Sequence, residues 1–517
     1  MARGYEDAVA ALNTLQSNFS VVDAIRKTGR VLNKASIPEM IEWCRRIGYE
    51  PADFDRLNPI HIAGTKGKGS TSAFVASILS QYRTPPGGRL SPTTTGLYTS
   101  PHLRFVRERI QINDAPLPPE LFAQYFFETW DRLEAAAQAE GRPADATAKP
   151  VYFRFLTLMA LHAYVQEGID TAVIEAGIGG EYDCTNVLRH PTVTGITTLG
   201  IDHVAMLGQT IEEIAWHKAG IMKRGSLAFT VPQPEAALRV LRERAAEKGV
   251  HLEVVQRHAD LEHITLGLGA DFQKTNASLA VAVAAAHLRA VGHTDIPTDV
   301  GASPLPSAFR RGLEQARWSG RCETRRESGI AWCIDGGHTM DSIRVAGEWF
   351  AAQVSATPVL GPIPAPAPAP GAARATIRAL IFNQQTRDAD ALATALYQTL
   401  AETLGTTRPF THVIFCSNVT WREGGYSADL VSINTSQAEV DELRVQKQLA
   451  VTWAVLEDAR GTSDDGAKAE IRVVRTIQDA VEAVRAIAPD ASQDTAMVLV
   501  TGSLHLVGGF LEVLEGA

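Results

Sequence analysis

The stretch His61 to Ser70, HIAGTKGKGS, constrains what this chain can fold into more than any other. It follows a short apolar run, Pro59-Ile60-His61-Ile62, and leads into Thr71-Ser72-Ala73-Phe74-Val75-Ala76-Ser77-Ile78-Leu79, whose pattern predicts a helix. A strand, a glycine turn and a helix N-terminus in succession suit a phosphate-binding loop. Backbone N–H groups curl around the anion, and the helix dipole adds partial positive charge. Gly64, Gly67 and Gly69 supply conformations that a side chain obstructs. Between them stand Thr65 and Lys66; Lys68 reaches toward the outer phosphates, and Ser70 offers a hydroxyl to magnesium. The spacing departs from the standard G-x-x-x-x-G-K-[ST], because the first glycine would fall on Ile62 and Gly69 replaces the usual Ser or Thr. The alternative, a surface turn rich in lysine and glycine, leaves the flanking strand and helix unexplained.

A chain of 517 residues exceeds one ordinary core, so two domains are expected. Apolar runs alternate with helical patterns through Thr171–Ile174, Val193–Leu199 and Leu227–Val231, which indicates a parallel sheet covered on both faces. A second alternating series begins after Trp318-Ser319-Gly320-Arg321, with strands at Ile330–Ile334, Ile377–Phe382, Val413–Cys416 and Ala496–Val500. The expected fold is α/β: a P-loop-type parallel-sheet ATPase domain over 1–327, then a smaller Rossmann-like α/β domain over 328–517. Arg107–Ile112 is predicted as one further strand. The Pro/Ala-rich segment near 356–374 cannot bury a core and reads as a surface insertion.

The net charge of −9 argues against a nucleic-acid partner. No apolar run is long enough to span a bilayer, since Ala277–Ala290 is interrupted by His287 and Arg289. Five scattered cysteines without a C-x-x-C pair fit a reducing compartment and neither a disulfide framework nor a zinc site. Met1–Asn13 carries early acidic residues and no apolar segment, unlike a secretory signal or a transit peptide.

Four more constellations fall where strands should end, the place where open parallel sheets bind ligands. Glu175 follows Val173-Ile174 and precedes a glycine run; it is placed to hold magnesium, with a capping carboxylate as the alternative. Asp202-His203 follows Leu199-Gly200, where a structural histidine is the competing role. Lys218 sits among apolar neighbours, either buried with a lowered pKa or snorkelling to the surface. Asp335-Gly336-Gly337-His338 offers a carboxylate and an imidazole after Trp332-Cys333-Ile334.

Taken together and in order, the motifs resemble folylpolyglutamate synthases, of the Mur-ligase-related ATP-dependent amide ligases. The matching pieces are HIAGTKGKGS (61–70), YTSPHL (98–103), IEAGIGG (174–180), LGIDH (199–203), HKAGIMK (217–223), WSGR (318–321), DGGH (335–338), and Phe382-Asn383 with Arg387-Asp388. Lys66 stands where the family loop usually has Asn, and Gly337 where Ala is common. The resemblance implies ATP-driven ligation of L-glutamate to the γ-carboxylate of a reduced folate or its polyglutamates, through an acyl phosphate. It implies magnesium on Ser100, Glu175 and His203, and a monovalent cation such as K+. Contacts to ATP would come from Gly64 to Ser70, Asn276, Arg321 and Asp335. Lys68, Lys218 and His338 take the catalytic roles, with Lys218 carbamylated, and Thr99, Pro101 and His102 bind substrate. The active site is expected in the cleft between the domains. A monomer in the cytoplasm, with a mitochondrial form from an alternative start, completes the expectation. The rivals are a dihydrofolate synthase, which adds the first glutamate to dihydropteroate, a cell-wall Mur ligase, and a non-catalytic nucleotide-binding scaffold.

Overall fold

The computed structural model describes residues 3–15, 34–85, 90–356, 377–385, 387–423, 442–459, 467–488 and 496–516. The chain divides into two compact units, one of Met1–His102 and Val106–Trp318, the other of Leu103–Phe105 and Ser319–Ala517. The expected break near 327 lies beyond this division, and strand Glu323–Glu327 pairs within the second unit.

In the first unit the strands are β1 (Ile60–Ala63), β2 (Thr95–Tyr98), β3 (Ile110–Ile112), β4 (Ala115–Pro116), β5 (Thr171–Glu175), β6 (Val193–Ile196), β7 (Leu227–Thr230) and β8 (Leu252–Val254). They form one sheet in the order β4-β3-β2-β5-β1-β6-β7-β8. All neighbours from β2 to β8 pair parallel; β3 and β4 add an antiparallel edge. β1 lies between β5 and β6 and is buried along its whole length, which is why it reads as continuous apolar sequence. Alternation places Ala172 and Ile174 in one core and Val173 in the other. The second core takes the helices Lys68–Ser80 and Gln273–Ala290, whose alanine-rich surface is buried almost all round. No helix among the described residues is long and apolar enough to cross a membrane.

The second unit carries β9 (Glu323–Glu327), β10 (Ile330–Ile334), β11 (Ile377–Phe382), β12 (His412–Val419), β13 (Glu470–Thr476) and β14 (Ala496–Thr501). Their order is β13-β12-β11-β14-β10-β9, parallel except for the β9–β10 hairpin. The α/β class expected from sequence is therefore present in both units.

Three local expectations change. Val106–Arg109 is a 3-10 turn, and only Ile110–Ile112 of the expected strand pairs. β6 stops at Ile196, because Thr197–Leu199 turn away to hold the glycine loop. Strands β4, β8, β9 and β13 were not expected. Residues 357–374 of the expected Pro/Ala-rich insertion lie outside the described residues.

Candidate active site

The glycine loop leaves the carboxyl end of β1 and enters the helix Lys68–Ser80 with Gly67 as its N-cap. Gly64 and Gly67 have φ of +152° and +86°. Both also face close neighbours. A Cβ on Gly64 would stand 1.8 Å from Thr197 Oγ1, and one on Gly67 would stand 2.2 Å from Asn276 Oδ1. The loop is pinned from the segment after β6, since the N–H groups of Thr65 and Lys66 both donate to the Thr198 carbonyl at 3.0 Å. Thr65 Oγ1 donates to the Gly200 carbonyl at 3.1 Å. Gly69 packs against the Trp318 indole.

Lys68 and Lys218 meet at this loop. Lys68 Nζ donates to the Gly64 carbonyl at 3.2 Å and lies 3.9 Å from Glu175 Oε1. Lys218, at the end of the helix Ile211–Lys218, donates to the same carbonyl at 2.8 Å. It is only 3% exposed, which decides between the two roles open at the sequence level in favour of burial. Burial first, and then the positive charge of Lys68, hold its pKa well below that of an ordinary lysine.

Glu175 closes β5 and is buried; its Oε2 accepts from the Ser100 backbone N–H at 3.2 Å. Ser100 and Glu175 are thus neighbours. His203 is exposed, in the left-handed region (φ 51°), and its N–H donates to Asp202 Oδ1 at 2.9 Å. Asp202 in turn lies 3.9 Å from Lys66 Nζ. Among the described residues no three His, Cys, Asp or Glu side chains form a metal-holding group. That donor set still suits magnesium, which binds through one or two carboxylates and completes its shell with water and phosphate oxygens.

Asn276 reaches the loop from the helix Gln273–Ala290. Its Nδ2 donates to Gln273 Oε1 at 2.8 Å, and Gln273 Nε2 donates to Ser70 Oγ at 3.3 Å. Gln273 escaped the sequence reading, although its i, i−3 spacing from Asn276 places both on one helix face. Just past β2, Thr99 N–H donates to the Arg109 carbonyl at 3.0 Å. Arg109 Nε donates to His102 Nδ1 at 2.9 Å, with the guanidinium also over the Tyr152 ring. Arg109 therefore orders the Thr99-Ser100-Pro101-His102 loop, another role not legible beforehand.

In the second unit, Asp335 follows β10 and is buried, with burial raising its pKa against the opposing charge of Arg321. Its carboxylate accepts from Cys322 N at 2.9 Å and Gly337 N at 2.8 Å. Arg321 Nη1 donates to the Gly320 carbonyl at 3.0 Å. His338 Nδ1 donates to the Gly336 carbonyl at 2.8 Å, so Nε2 carries the lone pair in the neutral ring.

A parallel sheet whose strand tips gather a glycine loop, two lysines and a buried carboxylate defines an α/β nucleotide-binding protein of the phosphate-loop class. No family model matches the chain. A folylpolyglutamate synthase of Saccharomyces cerevisiae (strain YJM789) is 44% identical over 520 residues, covering 100% of this chain and 88% of the relative. Among solved structures, a Mycobacterium tuberculosis folylpolyglutamate synthase complexed with ADP superposes with a TM-score of 0.65 at 22% identity, covering 99% of each chain. An FPGS-AMPPCP-folate complex gives 0.63 at 21% identity, again covering 99% of each chain. The chain belongs to the folylpolyglutamate synthase family, as the ordered motifs indicated.

Proposed function

We propose that this chain is an ATP-dependent ligase that adds L-glutamate to the γ-carboxylate of a folate or its polyglutamates, releasing ADP and phosphate. The observation that carries this is the meeting of Lys68, Lys218 and Glu175 at the glycine loop, in a chain with full-length identity to a folylpolyglutamate synthase. A carboxylate does not react with an amine at neutral pH, so the γ-phosphoryl group of ATP is first transferred to it as a leaving group. The glutamate amine then attacks the acyl phosphate.

The residues divide that work. The helix N-terminus at Lys68, with the loop amides that the Thr198 carbonyl does not take, cradles the phosphates. Lys68 follows the charge that develops on the transferred phosphoryl group. Asn276 borders the loop at Gly67, and Arg321 and Asp335 are further contacts to ATP. Glu175 and Ser100, with His203, would hold magnesium, which when bound supplies charge neutralisation at the phosphates. A monovalent cation such as K+ is a further proposed component. Thr99, Pro101 and His102 form the folate side, ordered by Arg109. His338, with its Nε2 lone pair, acts at the reacting centre.

Lys218 is proposed to act as a carbamate. Carbon dioxide adds only to a neutral amine, and burial, with the neighbouring Lys68 charge, shifts this amine toward its neutral form. Five free, buried cysteines support a reducing compartment, and the enzyme is proposed to be a cytoplasmic monomer, with a mitochondrial form from an alternative start. The experiment is ADP release measured with reduced folate and glutamate together, with each alone, and with dihydropteroate as the acceptor. Release that needs both substrates supports the ligase; a preference for dihydropteroate would reassign it as a dihydrofolate synthase.

A further inference from the structure

The Thr198 carbonyl, which pins the glycine loop, belongs to a segment that has left its sheet. The parallel ladder between β6 and β7 ends at Ile196 and Thr230. Beyond it, the side-chain amide of Gln233 takes the place of a neighbouring strand. Its Oε1 accepts from Leu199 N at 3.0 Å, and its Nε2 donates to the Thr197 carbonyl at 2.9 Å and to Thr230 Oγ1 at 3.0 Å. Thr230 Oγ1 donates in turn to the Ile196 carbonyl at 3.0 Å. Thr197 is fully buried and Leu199 nearly so, and buried backbone groups need partners. The two residues held by Gln233 flank Thr198, whose carbonyl accepts from Thr65 and Lys66.

We propose that Gln233 is a positioning residue for phosphoryl transfer, a side-chain clamp that aims the Thr198 carbonyl at the phosphate loop. The proposal rests on the nucleotide-site reading above. Only an amide of this length fits the role. Glutamate of the same shape keeps the acceptor for Leu199 but sets a carboxylate against the Thr197 carbonyl. Methionine satisfies neither group, and asparagine is one methylene short. Gln233 hydrogen-bonds to the 197–199 segment and Thr230, so its loss reaches the nucleotide through that segment, by the Thr198 carbonyl and by Thr197 against Gly64.

The test compares Gln233→Glu and Gln233→Met with the parent enzyme in ATP affinity by calorimetry, in KM for each substrate, in kcat and in melting temperature. Both variants are expected to weaken ATP binding and raise its KM on the order of tenfold, the scale of lost buried hydrogen bonds. KM for folate and glutamate should stay within about twofold. A purely structural role would lower the melting temperature without this split. If neither variant folds, Thr230→Val removes one partner of the same amide and should raise KM for ATP by about twofold to threefold. Unchanged ATP affinity and KM in the folded variants would overturn the clamp. A parent enzyme that binds no ATP would instead overturn the nucleotide reading itself.

Discussion

Lys68 Nζ and Lys218 Nζ donate to one and the same oxygen, the Gly64 carbonyl, at 3.2 and 2.8 Å. The two amines cannot stand more than about 6 Å apart, and at that distance two full charges repel by roughly 3 kcal/mol at an effective dielectric near 20. One of them is therefore better neutral or turned into an anion, and the buried Lys218 is the one whose pKa falls. Lys218→Ala is expected to abolish ligation and to recover partly when short carboxylates such as acetate are added. A crystal with ATP and magnesium should show density beyond Nζ. Density ending at an ordered Nζ would reject the carbamate.

Lys68 has the opposite assignment, a cation that must move with the γ-phosphoryl group. Lys68→Ala should lower kcat on the order of a hundredfold or more, as removal of other transition-state charge stabilisers does. Its fold should be kept, because the side chain's partners are one carbonyl and the Glu175 carboxylate. Steady-state turnover beside a melting curve checks both points. Near-parental turnover would mean that the loop does not carry phosphoryl transfer.

Gly64 tests the packing of the loop independently of its charges. Its φ of +152° and the 1.8 Å approach of a hypothetical Cβ to Thr197 Oγ1 leave no room for a methyl group. Gly64→Ala should cost ~2 kcal/mol or more in chemical denaturation. It should also weaken ATP binding, since β1 and the Thr197–Leu199 segment must separate. Gly225→Ala, at a positive φ of 90° but with nothing near its Cβ, serves as the control and should leave ATP binding unchanged.

The site was legible where chemistry demands particular side chains at strand ends. Lys68, Glu175, Lys218 and the glycines announce themselves by type, and the central strands by unbroken apolar runs. What stayed hidden was carried by backbone groups or by generic amides. Any residue at 198 presents a carbonyl, and nothing in the letters of Gln233 or Gln273 marks a clamp. The unexpected strands have a similar cause. β9 and β13 lie at the two edges of their sheet and are largely half-exposed, so charged residues such as Arg325, Arg326 and Arg472 interrupt the apolar signal. The expected break at 327 fell after β9 for the same reason.

Two buried histidines give the fold a directional pH dependence. His61 bonds to Thr185 Oγ1, and His287 to Thr171 and Thr192; burial pushes both imidazoles down to about 3. Below the unfolded value of about 6.5 the unfolded chain takes up protons that the folded chain refuses. Their contribution to stability is thus complete above that pH and is lost on acidification, at about 1.4 kcal/mol per pH unit for each histidine. Unfolding midpoints in urea between pH 7.5 and 5 should fall with pH, and His287→Gln should flatten the slope. An equal slope in parent and variant would contradict this.

His338 separates binding from reaction. His338→Ala should keep ATP affinity within about threefold and lose most ligation, because a group at the reacting centre contributes more to the transition state than to the ground state. Calorimetric ATP titration beside product formation tests it; equal losses in both would move His338 to nucleotide binding.

The most direct measurement is ADP release by the purified chain with ATP, magnesium, a reduced folate and L-glutamate, each omitted in turn, with mass analysis of the folate product. Release is expected to require all four components and to give a product heavier by one glutamate residue or more, with Lys68→Ala silent in the same assay. ADP release that ignores folate and glutamate, or a folate whose mass does not change, would contradict it.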